Sequence, residues 1–144
     1  MRERTIQTPD GDHLALYSYG TEDAPSSNRL LVVGGAFLTA LIYRPFSIAF
    51  AKALGEGWAV DVYDRRGRGN SSAQPADYSM RTEIADVELL LRETGGNKLL
   101  GHSLGGSVAL NAAQEFVGGE LEPDRLALYD PAINIDNSID HGLV

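Results

Sequence analysis

Residues 98–110 read KLLGHSLGGSVAL, and this stretch decides the fold. Leu99 and Leu100 close a short apolar run, the pattern of a buried strand. After Gly106 the spacing changes: Val108, Ala109, Ala112, Ala113 and Phe116 recur at intervals of three and four, the period of a helix with one apolar face. Ser103 therefore stands at a strand-to-helix turn.

Gly101, Ser103 and Gly105 satisfy G-x-S-x-G, the elbow that holds a serine in a strained backbone conformation at the top of a sheet. The turn is so sharp that side chains two residues before and two after the serine would collide, which asks for glycine at both places. A helix opening at Leu104 leaves its first N–H groups without intrahelical partners, free to face an oxygen that gathers negative charge beside the hydroxyl. In a chain with 16 glycines the spacing alone is a weak signal. The strand before it and the helix after it are those the motif requires, and the arrangement serves acyl chemistry.

A length of 144 residues suits one domain, or part of one. With 12 basic and 20 acidic residues the net charge is -8, and no run of Lys or Arg could follow a phosphate backbone, which argues against nucleic acid as a partner. There are no cysteines, so disulfides, thiolate metal sites and a cysteine nucleophile are excluded. Residues 1–12, MRERTIQTPDGD, lack the apolar stretch of a secretory signal, and no segment is long and apolar enough to span a membrane. A cytoplasmic protein without membrane association is the expectation.

Outward from the elbow, residues 5–8 and 14–19 flank the turn Pro9-Asp10-Gly11-Asp12 and read as a hairpin. Residues 30–33 are a continuous apolar run ending in Gly34-Gly35-Ala36-Phe37, as expected of a strand covered on both faces of a parallel sheet. Pro45 stands where a first helical residue is favoured, with Phe46, Ala49, Phe50 and Ala53 as the apolar stripe and Gly55 and Gly57 as the stop. Residues 58–63 form the next strand. In the loop DRRGRGNS (64–71) Asp64 is expected to accept loop N–H groups, and the three arginines to form a solvated surface. A helix from about 79 to 93 carries Ile84, Val87 and Leu91 on one stripe and stops at Gly95-Gly96. Residues 126–129 form a further strand ending in Asp130-Pro131. Beyond the hairpin, strands and helices alternate, which predicts an α/β fold with a mostly parallel sheet and flanking helices. Neither G-x-G-x-x-G nor G-x-x-x-x-G-K-[ST] is present, so a nucleotide-binding domain is a weak alternative.

LLVVGGAF (30–37), VYDRRGRGNS (62–71), LLGHSLGG (99–106) and LALYDPA (126–132), in that order, resemble the first six strands of the core of the α/β-hydrolase superfamily. The resemblance implies that Ser103 is the nucleophile within the Gly101–Gly105 elbow. It also implies that the N–H of Leu104 and that of Ala36, or with less support Phe37, form the oxyanion hole. It implies an ester or similar small acyl substrate, and neither a metal nor an organic cofactor. Residues 1–131 correspond to the amino-terminal part of the core, and 132–144 to a tail at the start of the lid region.

Two departures stand out. Gly34 occupies the place where the family commonly has a histidine that orders the loop. The family's acid and histidine usually follow later strands, in the chain order Ser, Asp or Glu, His, whereas this sequence stops after the sixth. Of the three histidines, His102 adjoins Ser103 but points to the other face, His13 lies by the hairpin, and His141 is on a segment with no evident anchor. Asp130 follows the sixth strand, where some members place the acid, although Tyr-Asp-Pro there is more often structural. Without a base, an oxyanion hole and binding leave only about 10³ to 10⁴ over the water reaction. Strand 126–129 would also lie at an open, apolar sheet edge. The expectation is a serine hydrolase half-domain. Its remaining strands, lid and histidine come from a second chain or missing segment, or were lost by truncation or cleavage. The alternative is a non-catalytic binding module of the same fold.

Overall fold

The computed structural model of the chain describes residues 1–133. Strands β1 (Arg2–Gln7) and β2 (His13–Gly20) form the expected antiparallel hairpin, closed by bonds from the N–H of Thr8 to Asp12 C=O and from that of Gly11 to Thr8 C=O, each 3.0 Å. β3 (Arg29–Val33), β4 (Ala59–Tyr63), β5 (Lys98–His102) and β6 (Arg125–Tyr129) run parallel to one another. They are linked by α1 (Ala40–Leu54), α2 (Met80–Thr94) and α3 (Leu104–Glu115).

The sheet order is β1-β2-β4-β3-β5-β6, so the chain steps from β3 to one side and then returns past it to the other. When crossovers keep one hand, reversing the direction of travel moves the linking helix to the opposite face. Accordingly α1 packs on Leu30, Val32, Val60 and Val62, while α2 and α3 pack on Leu31, Val33 and Leu99. Alternate residues of β3 feed two separate cores, which is why its apolar run is unbroken. The same reversal opens a crevice at the carboxyl ends of β3 and β5, where Val33 pairs with Gly101.

One helix differs from its sequence pattern. α1 opens at Ala40 rather than at Pro45, and Pro45 lies inside it. Its buried stripe is Ala40, Tyr43, Ser47 and Ala51, whereas Phe46, Ala49 and Ala53 are exposed and Phe50 is half-buried. Small side chains let the helix lie close to the sheet: a Cβ on Gly20 of β2 would sit 3.2 Å from that of Ala51. Pro45 is tolerated because the bond it forfeits is to the carbonyl of Leu41, an exposed residue that water can serve. The other helices follow expectation. At the start of α2 the N–H of Ser79 donates to Thr82 Oγ1 (3.2 Å), and at its end Gly95 adopts φ 68° with its N–H on Leu91 C=O. β6 forms one edge of the sheet, with Ala127, Leu128 and Tyr129 exposed.

Candidate active site

Ser103 joins β5 to α3 with φ 53° and ψ -124°, a conformation that a residue with a side chain enters only when its surroundings impose it. A Cβ on Gly101 would come within 2.5 Å of the carbonyl oxygen of Gly105, and one on Gly105 within 2.1 Å of that of Val33. Both obstacles are backbone, so the collisions expected from the motif are real. The Ser103 N–H donates to Tyr129 C=O (3.0 Å), and its own C=O accepts from Gly106 (2.8 Å) and Ala132 (3.0 Å). A serine in the N-cap position usually spends its hydroxyl on the helix. Here the side chain makes no capping bond.

Beside it runs the loop that follows β3. A Cβ on Gly35 would lie 3.4 Å from that of Ser103, so the loop backbone passes in van der Waals reach of the serine. The carbonyl of Gly35 accepts from Arg65 Nη1 (3.3 Å) and that of Ala36 from Arg68 Nε (2.6 Å). No peptide bond here is cis, and in a trans peptide the N–H points opposite to the C=O. Tying down the carbonyls of Gly35 and Ala36 therefore turns the N–H groups of Ala36 and Phe37 away from the arginines. Among the described residues neither has a hydrogen-bond partner, nor does the N–H of Leu104. The Phe37 ring is 90% exposed at the tip.

The loop after β4 is the support. Asp64 accepts from the N–H of Ala40 (2.7 Å) and of Asn70 (2.9 Å), as expected of it. The expectation of a solvated arginine surface is corrected: Arg65 is 1% exposed, Arg66 is buried and Arg68 half-buried. Arg65 Nε reaches Glu83 Oε1 at 3.0 Å, and Arg66 Nε reaches Asp86 Oδ2 at 2.9 Å, both carboxylates standing on α2. Arg66 also holds Asp10 (2.7 Å) and Asp12 (2.8 Å) from the hairpin turn. A buried guanidinium is tolerable only when paired in this way. The arginines are internal struts of the site, a role that no local pattern announces.

Tyr43 of α1 also went unmarked in the sequence. Its hydroxyl accepts from the N–H of Gly35 (2.8 Å) and meets His102 Nδ1 at 2.6 Å. Burial pushes its phenol up, so it keeps its proton. Its position three residues after Ala40 and four before Ser47, on a helix stripe otherwise made of small residues, is the signal that could have found it.

His102 is thus engaged away from the hydroxyl, with its ring stacked on that of Tyr129 at 5.3 Å. His13 is occupied by Ser72 and Asn70, and His141 lies outside the described residues. Among the described residues no histidine or carboxylate hydrogen-bonds the Ser103 hydroxyl. Asp130 is exposed just after β6 with φ 47°. Among the described residues no group of three or more His, Asp or Glu could hold a metal ion, and no helix is long and apolar enough to cross a membrane.

Known proteins give this arrangement a context. Residues 30–143 match the model of the alpha/beta hydrolase family. A lysophosphatidylserine lipase, ABHD12 of Mus musculus, is 31% identical over 121 residues, which is 79% of this chain and 30% of the lipase. An alpha/beta hydrolase of Sphaerobacter thermophilus superposes with a TM-score of 0.75 at 30% identity, covering 93% of this chain and 47% of its own. The thioesterase domain of the curacin biosynthetic pathway has the same fold, with a TM-score of 0.79 at 23% identity over 96% of this chain and 49% of that one. The chain thus spans about a third to a half of the length of these proteins.

Proposed function

The chain belongs to the alpha/beta hydrolase family, and from that premise we propose that Ser103 is the nucleophile of a serine hydrolase acting on an ester or similar small acyl group. One conjunction supports the reading: a strained serine whose hydroxyl makes no capping bond, beside a loop whose N–H groups at Ala36 and Phe37 are turned away from the arginines and have no partner among the described residues. Ser103 Oγ attacks the carbonyl carbon, and the oxygen that gains charge is held by the N–H groups of Leu104 and Ala36, or of Phe37. Collapse of the tetrahedral intermediate expels the alcohol or other leaving group, and water later releases the acyl group from Ser103.

The proton of the hydroxyl must go to a base. In this reading a histidine supplied from outside residues 1–133, by a segment or second chain lying beyond β6, takes it and returns it to the leaving group. Asp130 is the candidate acid within the described residues. The relatives are lipases, esterases and related hydrolases, which supports acyl chemistry without naming the substrate.

The test is acylation by 4-nitrophenyl acetate, with the adduct mapped by peptide mass spectrometry. The expected result is an acetyl group on Ser103, lost in Ser103→Ala, with turnover about 10³ to 10⁴ over water and well below that of a full triad. Absence of the adduct would overturn the reading. It would favour a non-catalytic binding module, the alternative suggested by the hydroxyl having no base against it among the described residues.

A further inference from the structure

We propose that Tyr43 and His102 are a positioning pair that fixes the oxyanion loop, taking from helix α1 the task that a side chain at position 34 would otherwise perform. Its consequence for rate rests on the serine-hydrolase reading above, whereas the anchor itself does not.

The argument starts from Gly34. A Cβ there would lie 2.8 Å from Tyr43 Cε2 and 3.4 Å from Cζ, so the phenol ring fills the volume in which any side chain at 34 would begin. The two are mutually exclusive occupants of one space. The ring delivers its hydroxyl to the N–H of Gly35, the peptide unit directly before the proposed donors.

A phenol has one proton to give. Gly35 N–H is itself a donor, so the proton of Tyr43 goes to His102 Nδ1, which fixes the imidazole with its own proton on Nε2. The imidazole is set in turn by Tyr43 at its edge (5.8 Å, 71°) and by Tyr129 on its face (5.3 Å, 30°). His102 precedes Ser103, and the carbonyl of Tyr129 takes the Ser103 N–H, so the network ties the loop to the elbow it must face.

Such an anchor matters because Gly34 and Gly35 are consecutive. Two glycines offer almost no steric resistance to rotation of the peptide between them. Arg65 and Arg68 restrain the carbonyls of Gly35 and Ala36. Nothing else among the described residues restrains the N–H of Gly35. With the phenol oxygen removed, that buried N–H is unpaired and the peptide turns to find a partner, misaiming the donors that follow.

The experiment measures two quantities in the chain as it stands, the exchange rate of the Gly35 amide by NMR and the rate of Ser103 acylation by 4-nitrophenyl acetate. In Tyr43→Phe, which keeps the ring, Gly35 exchange is expected to rise at least about tenfold and acylation to slow about ten- to a hundredfold, short of losing a donor outright. His102→Leu should do the same to a lesser degree. His102→Asn, which puts an acceptor oxygen near the place of Nδ1, should restore both to within about threefold. Unchanged Gly35 exchange in Tyr43→Phe, or an Asn variant as impaired as the Leu variant, overturns the pair. If the unaltered chain is never acylated, the catalytic reading fails, and the exchange rates still decide whether the anchor exists.

Discussion

The two flanks of Ser103 are held by different means. On one side residues 34–38 are gripped by side chains from α1 and from the loop after β4: Tyr43 on the Gly35 N–H, Arg65 and Arg68 on the carbonyls, and Asp64 on the N–H of Ala40 where the loop enters α1. On the other side residues 129–132 meet the elbow chiefly through backbone bonds, with Tyr129 and Asp130 exposed on an edge strand. Side chains shaped for one backbone conformation mark a part whose geometry is finished. An exposed edge marks a place where further structure can add. In the reading proposed above, the tightly held flank is the one that receives the developing oxyanion, and the flank with the open edge is the one beside which the base would stand.

Breaking the first flank should cost most. Arg65→Met removes the partner of buried Glu83 as well as the tie to Gly35, and a stranded buried carboxylate costs about 3–5 kcal/mol. A denaturant melt should show that loss. Gly105→Ala comes next, at about 3 kcal/mol, since its methyl meets the backbone oxygen of Val33, which cannot move aside as a side chain could.

The second flank should respond weakly. Leu128→Lys, on the open edge, is expected to shift stability by less than about 1 kcal/mol while raising the concentration at which the chain aggregates, read by light scattering. A drop in stability as large as that of Arg65→Met would mean that β6 is as finished as the loop, and the contrast would fail.

The smallest effect is a pH dependence at the rim of the first flank. The hydrogen bond from Arg66 is the main cause holding Asp10 down from 3.8 to about 2. A carboxyl whose folded pKa lies below its unfolded one contributes stability above the unfolded value and loses it as pH falls through the folded value. The melting temperature of the unaltered chain should therefore exceed that of Asp10→Asn near neutral pH, with the gap closing between about pH 4 and pH 2. The carboxylate is half-exposed, so the gap should be modest. A constant gap across that range would remove Asp10 from the Arg66 cluster.

What could be read from the sequence divides along physical lines. The run Leu30 to Val33 and the glycines of the elbow were legible because each reports a local constraint, burial on two faces in one case and backbone collision in the other. The start of α1 was not, because its large apolar residues Leu41, Ile42 and Ile48 are exposed while small Ala40 and Ala51 and polar Ser47 face the sheet. The arginines were misread because a cationic loop looks solvated until its counter-ions are known. Glu83 and Asp86 stand on the next helix, 18 and 20 residues from Arg65 and Arg66. Tyr43 belongs to the same class, as a residue whose meaning lies in a partner distant in sequence.

The most direct test of the finished half is a crystal structure of the chain after Ser103 has reacted with a fluorophosphonate. The phosphonyl oxygen should lie about 3 Å from the backbone nitrogens of Leu104 and Ala36, with Gly35 N–H still on the Tyr43 hydroxyl. An adduct whose oxygen turns to solvent, or meets neither nitrogen, would contradict the account.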